Sequence, residues 1–263
     1  GGSSLGSKAI YNFLKTKKKF NFIDNFSNFS LKQKGKENIN LIISKSGNTL
    51  ETISNSNILI NKSKKNIFIT ENKKSYLMSL ANKLKDEVIH HNNFIGGRYS
   101  VLSEVGMLPA ELMGFKPEKF RRLNQLLKSK KFINSLIQGA SSILTLNNKK
   151  ITNSIILNYD DRSNDLFNWY QQLVAESLGK KNKGILPVIS TMPKDNHSLM
   201  QYYLDGKKNN FFTLFFVKDN LSKINKEKIM KSHFFLKGKD LNDISYSQFN
   251  ATAKVFKKKK IPF

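Results

Sequence analysis

The stretch Leu41–Thr52, LIISKSGNTLET, joins a short apolar run to a helix-like segment through Ser, Lys, Ser, Gly, Asn and Thr. Continuous apolar runs of this length are typical of parallel strands that are covered on both faces. In open parallel sheets, ligands bind where such strands end and helices begin. The stretch therefore predicts a strand–loop–helix unit whose loop faces a ligand.

Four more apolar runs of the same kind follow, and helical patterns separate them. They are NIFIT (66–70), ITNSIIL (151–157), GILPVIS (184–190) and FFTLFFV (211–217). Strands that alternate with helices predict an α/β fold with parallel sheets. The stretch 114–150 has little strand signal, which predicts a first domain at 1–113, followed by linking helices and a second domain at 114–263.

The chain is strongly basic, with 45 Lys and Arg against 19 Asp and Glu among 263 residues and a formal charge of +26. The positive electrostatic field of such a chain attracts nucleic acid, anionic membranes or phosphorylated small molecules. The excess is mostly Lys spread along the chain, without a groove-reading module or a stacking aromatic face. We therefore attribute the positive charge to compositional drift, with a mild benefit for binding an anionic substrate. A nucleic-acid binder remains the minority alternative.

Other partners and cofactors find little support in the composition. No apolar stretch approaches the roughly 18 residues of a membrane span, so no membrane partner is predicted. The chain has four His, no Cys and no zinc-ligand spacing, so no metal site is predicted. The lack of Cys is compatible with a reducing compartment such as the cytoplasm.

The loop at 44–49 has the chemistry of an oxyanion site. Ser44, Ser46 and Thr49 supply hydroxyl groups, Gly47 permits close approach of the backbone, and Lys45 adds positive charge. A helix N-terminus behind the loop would add N–H groups and a positive dipole end, which favours phosphate. The alternative is an ordinary Ser/Asn helix cap, and the glycine pattern of a Walker loop is missing.

Two neighbouring patterns extend this prediction. Asn48 and Glu51 have the spacing of a capping box, which would fix the start of the helix. GGSSLGS at 1–7 precedes the helical pattern KAIYNFL and predicts a second Gly/Ser turn that could converge on the same phosphate. The alternative for GGSSLGS is a flexible terminal tail without a function.

A third turn lies in NNFIGGRYSVLSEVG, residues 92–106, where Gly96 and Gly97 precede Arg98. Paired glycines let a backbone pack against a ligand, and an Arg side chain presents a fixed fork of donors to an anion. The alternative is a surface Arg that follows a turn. The combination GGRYS is more specific than any of its residues alone.

Acid–base candidates lie in the second half. A helix predicted from Asp165 to Gly179 carries Glu176 beside Trp169, at the edge of its apolar stripe, and a partly sheltered carboxylate there suits proton transfer. His197 precedes another helical pattern and suits moving a proton to or from a hydroxyl. The alternatives are half of a salt bridge for Glu176 and a capping or packing role for His197.

Five motifs, in this order, resemble the bacterial-type glucose-6-phosphate isomerase (phosphoglucose isomerase) family over nearly the whole chain: GGSSLGSKA, ISKSGNTLET, GGRYSVLSEVG, WYQQLVAESLGKKNKG and DNHSLMQYYLDG. The resemblance implies two doubly wound sugar-isomerase (SIS) domains, both incomplete, and a chain that is an internal fragment. It implies a cytoplasmic enzyme of glycolysis and gluconeogenesis that interconverts glucose 6-phosphate and fructose 6-phosphate through a cis-enediol, without a cofactor.

The resemblance also assigns roles to individual residues. The residues implied to hold the substrate phosphate are Ser3, Ser44, Lys45, Ser46 and Thr49. Glu176 is implied to move the proton, Arg98 to stabilise the enediolate oxygen, and Gly97 to lie beside the substrate. His197 is implied to assist ring opening from the partner subunit of a homodimer. The open alternative is a non-catalytic SIS-type phosphosugar-binding module, inactive without the missing ends.

Overall fold

The computed structural model describes residues 2–26, 38–60, 65–219, 223–224 and 228–263. The chain divides into two compact units, residues 1–132 and 133–263. In the described residues, each unit contains one three-stranded sheet, and all strand pairs in both sheets are parallel. The predicted α/β class is therefore confirmed.

The first unit has a sheet of strand order β1-β2-β3. Its strands are β1 (Ile39–Ile43), β2 (Lys65–Glu71) and β3 (Glu87–His91). Its helices are α1 (Gly2–Leu14), α2 (Leu50–Leu59), α3 (Tyr76–Leu84), α4 (Glu104–Leu112), α5 (Pro117–Phe120) and α6 (Asn124–Leu127), with 3₁₀ helices at Gly97–Leu102 and Arg121–Leu123. Because the strands are parallel, their carboxyl ends lie at one edge of the sheet.

Apolar side chains of the central strand hold this unit together. Phe68 and Ile69 on β2 are fully buried, and Phe68 packs with Leu77 and Ala81 of α3. Burial of a side chain of this size stabilises the fold by about 1.5–3 kcal/mol. A separate cluster joins α1 to α4 through Ile10 and Met107. The core thus fixes the strands whose ends carry the predicted phosphate loop.

The glycine-rich N-terminal segment is helical, so the predicted turn at GGSSLGS is wrong for residues 2–7. A Cβ atom on Gly6 would lie 2.5 Å from Val101 Cγ2, and one on Gly106 would lie 2.1 Å from the Val101 carbonyl oxygen. Both contacts are too close for any side chain, so α1 and α4 each approach Val101 through a glycine. Packing therefore outweighs the low helix propensity of glycine here.

The second unit has a sheet of strand order β5-β4-β6. Its strands are β4 (Asn153–Asn158), β5 (Leu186–Thr191) and β6 (Asn210–Phe215). Its helices are α7 (Lys130–Asn148, which begins at the boundary), α8 (Asn164–Leu178), α9 (Met200–Asp205) and α10 (Leu241–Lys258), with 3₁₀ helices at Asp161–Ser163, Lys194–Asn196 and Lys231–Leu236. The strand order reverses at β4, as in doubly wound sheets.

Aromatic contacts dominate the second core. Phe256 of α10 is fully buried and packs against Phe212 of β6, with ring centroids 4.7 Å apart. Phe212 also contacts Tyr203 of α9 at 5.1 Å. On the helix between β4 and β5, Phe167 packs against Phe215 at 4.9 Å. Among the described helices, none is both long enough and apolar enough to cross a membrane.

Candidate functional site

The loop after β1 brings two of the predicted phosphate-binding hydroxyl groups together. Ser44 Oγ and Thr49 Oγ1 are hydrogen-bonded at 2.8 Å, Ser44 is buried, and Ser46 and Thr49 are exposed. Gly47 has φ +66°, and a Cβ atom there would lie 2.2 Å from Ser75 Oγ. The tight loop therefore requires glycine, both for its left-handed backbone and for its contact with the next loop.

The start of α2 differs from the predicted capping box. Thr49 is the N-cap residue, its side chain makes no capping hydrogen bond, and its hydroxyl is bound to Ser44 instead. Asn48 Oδ1 accepts a hydrogen bond from the Tyr76 N–H at 2.8 Å and so supports the start of α3. The capping-box prediction for Asn48 and Glu51 is therefore wrong. The uncapped first turn of α2 presents N–H groups beside the loop hydroxyls.

Lys45 connects the three strand ends of the first unit. Its Nζ atom lies 3.2 Å from Glu71 Oε1 at the end of β2, and it donates to the Asn93 carbonyl, after β3, at 3.0 Å. Lys73 binds the same carboxylate. The hydrogen bond from Lys73 lowers the pKa of Glu71 below its usual value, assisted by Lys45 and against the opposing effect of burial. Glu71 is therefore a carboxylate that anchors the Lys45 side chain.

The GGR segment follows β3 at the same edge of the sheet. Arg98 is the second residue of the 3₁₀ helix Gly97–Leu102, is half-buried, and places its guanidinium 4.6 Å from the centre of the Tyr99 ring. Ser100 Oγ donates to the Gly97 carbonyl at 2.6 Å, which fixes the first turn. The Lys45–Asn93 hydrogen bond therefore joins the 44–49 loop to the segment that presents Gly97 and Arg98.

Ser3 occupies the first turn of α1, half-buried, rather than a turn of its own. The helix packs against the 3₁₀ helix of Arg98 through Gly6 and Val101, one helical turn further along. Ser4, next to Ser3, donates to Asp24 Oδ2 at 2.7 Å. The element that carries Ser3 is therefore fixed beside the element that carries Arg98.

Glu176 lies near the end of α8 and is exposed, whereas the sequence predicts a partly sheltered carboxylate. The prediction of shelter is wrong because the apolar stripe is itself open at this end, where Leu178 is 52% exposed. Gln172 Nε2 donates to Glu176 Oε2 at 3.1 Å. That bond fixes the orientation of the Gln172 amide, and its Oε1 atom is buried without a hydrogen-bond partner within the described ranges.

His197 is exposed and lies in the loop after β5, which the Asp195 carboxylate organises. Asp195 Oδ2 accepts from Ser190 Oγ at 3.0 Å and from the Thr191 N–H at 2.7 Å, and Oδ1 accepts from Ser198 Oγ at 2.9 Å. Burial opposes the charged form, but these hydrogen bonds outweigh burial and lower the pKa of Asp195.

The second unit separates its two candidate catalytic residues. Helix α8 starts at the carboxyl end of β4 and runs back along the sheet, and Gln171 Nε2 reaches the carbonyl of Pro187, near the start of β5, at 2.7 Å. Glu176 lies further toward the amino edge, whereas His197 follows the carboxyl end of β5. A six-residue strand is about 17 Å long. Glu176 and His197 of one chain therefore flank opposite edges of this sheet.

The supporting residues that sequence reasoning missed include Glu71, Gln172 and Asp195. Only Asp195 carries a local signal, since an Asp near the start of a helical turn often accepts hydrogen bonds from nearby N–H and hydroxyl groups. No group of three or more His, Asp or Glu side chains that could hold a metal ion occurs in the described part of the chain.

A family model described as phosphoglucose isomerase matches residues 1–189. A glucose-6-phosphate isomerase of Methanocaldococcus jannaschii is 34% identical over 83% of this chain and 58% of its own length. Another, of Mycoplasmopsis pulmonis, is 30% identical over 98% of this chain and 67% of its own length. The chain thus spans about half to two thirds of the length of the curated relatives it matches.

A solved structure shares the fold. A hypothetical protein of Thermus thermophilus superposes with a TM-score of 0.84 at 23% sequence identity. The superposition covers all of this chain and 69% of the other. At this identity the likeness concerns the fold, which agrees with the two parallel-sheet units described above.

Proposed function

This chain belongs to the phosphoglucose isomerase family, and we propose that the protein is an aldose–ketose isomerase that interconverts glucose 6-phosphate and fructose 6-phosphate through a cis-enediol. The observation that carries the proposal lies at the carboxyl edge of the first sheet, where hydrogen bonds connect the predicted phosphate loop to the segment of Arg98. There the paired hydroxyls of Ser44 and Thr49 and the segment of Arg98 are connected through Lys45.

The first part of the proposed mechanism is the grip on the phosphate. The residues proposed to hold it are Ser3, Ser44, Lys45, Ser46 and Thr49. Hydroxyls and the N–H groups of α2 bind the oxygens directly, while Lys45, held by Glu71, contributes positive charge from the wall of the loop. Binding energy at this remote end orients the carbonyl end of the sugar for reaction.

The second part is the proton transfer. The Glu176 carboxylate removes the proton from C2 of the open-chain aldose while the carbonyl oxygen on C1 takes up a proton from solvent, which gives the cis-enediol. The same carboxyl returns its proton to C1 while the C2 hydroxyl releases its proton to solvent and becomes the ketone. Gln172 orients the carboxylate through its amide N–H. Arg98 stabilises the negative oxygen, and Gly97 lets the backbone lie beside the substrate.

The third part is ring opening by His197 of a second chain in a homodimer. The placement of Glu176 and His197 at opposite edges of one sheet supports this assignment, since one copy of the unit does not present both side chains at the same edge. In a homodimer with a twofold axis, each chain would supply its His197 to the site that holds the other chain's Glu176.

The decisive experiment follows the C2 proton with the full-length protein. We expect Glu176→Gln to slow isomerisation and the loss of deuterium from C2-labelled substrate by about 10²–10⁴-fold. Binding of fructose 6-phosphate in calorimetry should change little. The matched control is Glu118→Gln, an exposed residue of α5, which should keep both rates. Full exchange by the Glu176 variant would refute the assignment.

A mixture of two inactive variants tests whether the site is shared between two chains, and a binding measurement on the wild type tests the non-catalytic alternative. Glu176→Gln and His197→Gln chains, unfolded and refolded together, should recover about a quarter of the wild-type rate, because half the dimers would each hold one intact site. Absence of recovery would exclude the shared site. Binding of fructose 6-phosphate without isomerisation by the wild type would instead favour a non-catalytic phosphosugar-binding module.

A further inference from the structure

His91 is a buried histidine with a hydrogen-bond acceptor at each ring nitrogen. It ends β3, and its side chain is 1% exposed. Nδ1 contacts the Glu104 carboxylate in the first turn of α4, and Nε2 lies 3.0 Å from the Ile95 carbonyl oxygen. Neither group takes part in the mechanism proposed above.

Counting protons on this pair restricts its state. A neutral imidazole carries one N–H, so it donates to either the carboxylate or the carbonyl and leaves the other acceptor facing a lone pair. Both contacts are satisfied only when the ring and the carboxyl group together hold one additional proton. That proton lies either on His91, as imidazolium, or on Glu104, as a carboxylic acid that donates to Nδ1.

The pair closes the segment that presents Arg98. One nitrogen holds the start of α4, after the 3₁₀ helix of Arg98, and the other holds Ile95, directly before the two glycines. Because His91 itself ends β3, three points of residues 91–104 meet at one ring. Loss of either contact would free one end of the segment that sets the guanidinium position.

The surrounding charges belong to the site already described. Glu71 pairs in register with His91 across the sheet, and its carboxylate is bound to Lys45 and Lys73. Lys45 also donates a hydrogen bond to the Asn93 carbonyl, which lies within the segment 91–104. These charged groups lie on β2 and on the loops after β1 and β2, and on α4 the carboxylate that contacts His91 is Glu104.

We propose that His91 and Glu104 form a proton-dependent positioning pair for Arg98. With the shared proton in place, the segment 91–104 is closed and Arg98 is held for the enediolate oxygen. Without that proton one of the two contacts is lost, and the rate of the chemical step falls while phosphate binding persists. This inference rests on the role proposed for Arg98 but makes a separate statement about the state of the ring.

The first arm of the test reads the ring directly. The chain has only four histidines, so an NMR spectrum of the ¹⁵N-histidine-labelled protein contains few ring signals. The signals of His91 are those that disappear in the His91→Gln variant. Both ring nitrogens of His91 should be protonated or share a proton with Glu104. A free neutral tautomer with one bare nitrogen would overturn the proposal, whether or not the protein is an isomerase.

The second arm reads the function of the segment. We expect His91→Gln to lower kcat about 10- to 100-fold, since small misplacements of a catalytic group have effects of this size, with KM changed less than about threefold. Hydrogen exchange of residues 92–104 should speed up. His90→Gln, the exposed neighbour on β3, should leave kcat and exchange unchanged. Equal effects of the two variants would contradict the positioning role.

The third arm removes the need for the proton. In Glu104→Gln, the new amide N–H can donate to Nδ1 while Nε2–H donates to Ile95, so neutral His91 satisfies both contacts. This variant should therefore lose less kcat than His91→Gln. A loss of kcat in Glu104→Gln as large as that in His91→Gln would refute the pair. If the wild type shows no isomerisation, the proposed function fails while the ring and exchange measurements still decide this inference.

Discussion

Replacing Asp195 by Asn should destabilise the second unit in a manner that depends on pH. The carboxylate accepts three hydrogen bonds, from Ser190, Thr191 and Ser198. A bond to a charged acceptor contributes about 1.5–3 kcal/mol and a neutral one about 0.5–1.5 kcal/mol. Asn keeps one acceptor oxygen and loses the charge, so some of the three bonds are weakened and at least one is lost, which, discounted for non-additivity, amounts to about 2 kcal/mol at pH 7.

The pH dependence follows from the direction of the shift. Because the pKa of Asp195 is lowered in the folded state from its ordinary value of 3.8, the stabilisation is fully present above that value. It is lost as pH falls through the folded pKa, where the wild-type side chain also becomes neutral. The difference between wild type and Asp195→Asn should therefore be constant from pH 5 to 8 and shrink below about pH 4.

The assay is urea unfolding followed by tryptophan fluorescence. Trp169 is the only tryptophan of the chain and lies on α8, so it reports on the second unit. Asp161→Asn, an exposed residue with the same change of charge, is the matched control and should stay within about 0.5 kcal/mol. A loss below 0.5 kcal/mol for Asp195→Asn at pH 7, or a difference that persists undiminished at pH 3, would refute the reasoning.

Three further substitutions test the packing. Phe256→Ala should cost about 3–5 kcal/mol, as for other large side chains removed from cores, in urea unfolding followed by Trp169 fluorescence. Gly6→Ala should cost about 1–3 kcal/mol through its contact with Val101, measured by circular dichroism. Gly139→Ala, which meets nothing within 4 Å in α7, should instead stabilise by up to about 1 kcal/mol; a loss comparable to that of Gly6→Ala would show that the contact does not matter.

The sequence predicts most of the strands correctly because buried parallel strands leave continuous apolar runs. All five predicted runs coincide with strands, whereas β3 was missed. Its residues EVIHH contain only two apolar side chains, so the alternation is too short to recognise. It becomes a strand because its backbone pairs with β2, and pairing between distant segments leaves no local pattern.

The supporting contacts of the site were the least predictable part. His91 and Glu104 are thirteen residues apart, on a strand end and a helix start, so their contact is visible only once the sheet is assembled. The capping box failed for a similar reason, since Asn48 binds the start of a different helix. The roles of the candidate catalytic and phosphate-binding residues remain predictions, which the proposed substitutions address.

Val101 packs between Gly6 of α1 and Gly106 of α4, two residues that have no side chain. Because Gly6 has no side chain, the backbone of α1 lies directly against Val101, and a shift of this helix would move the valine. Val101 is three residues after Arg98 in the sequence. A displacement of α1, for example by an antibody bound to that helix, should therefore change the position of Arg98 before it disturbs the sheet.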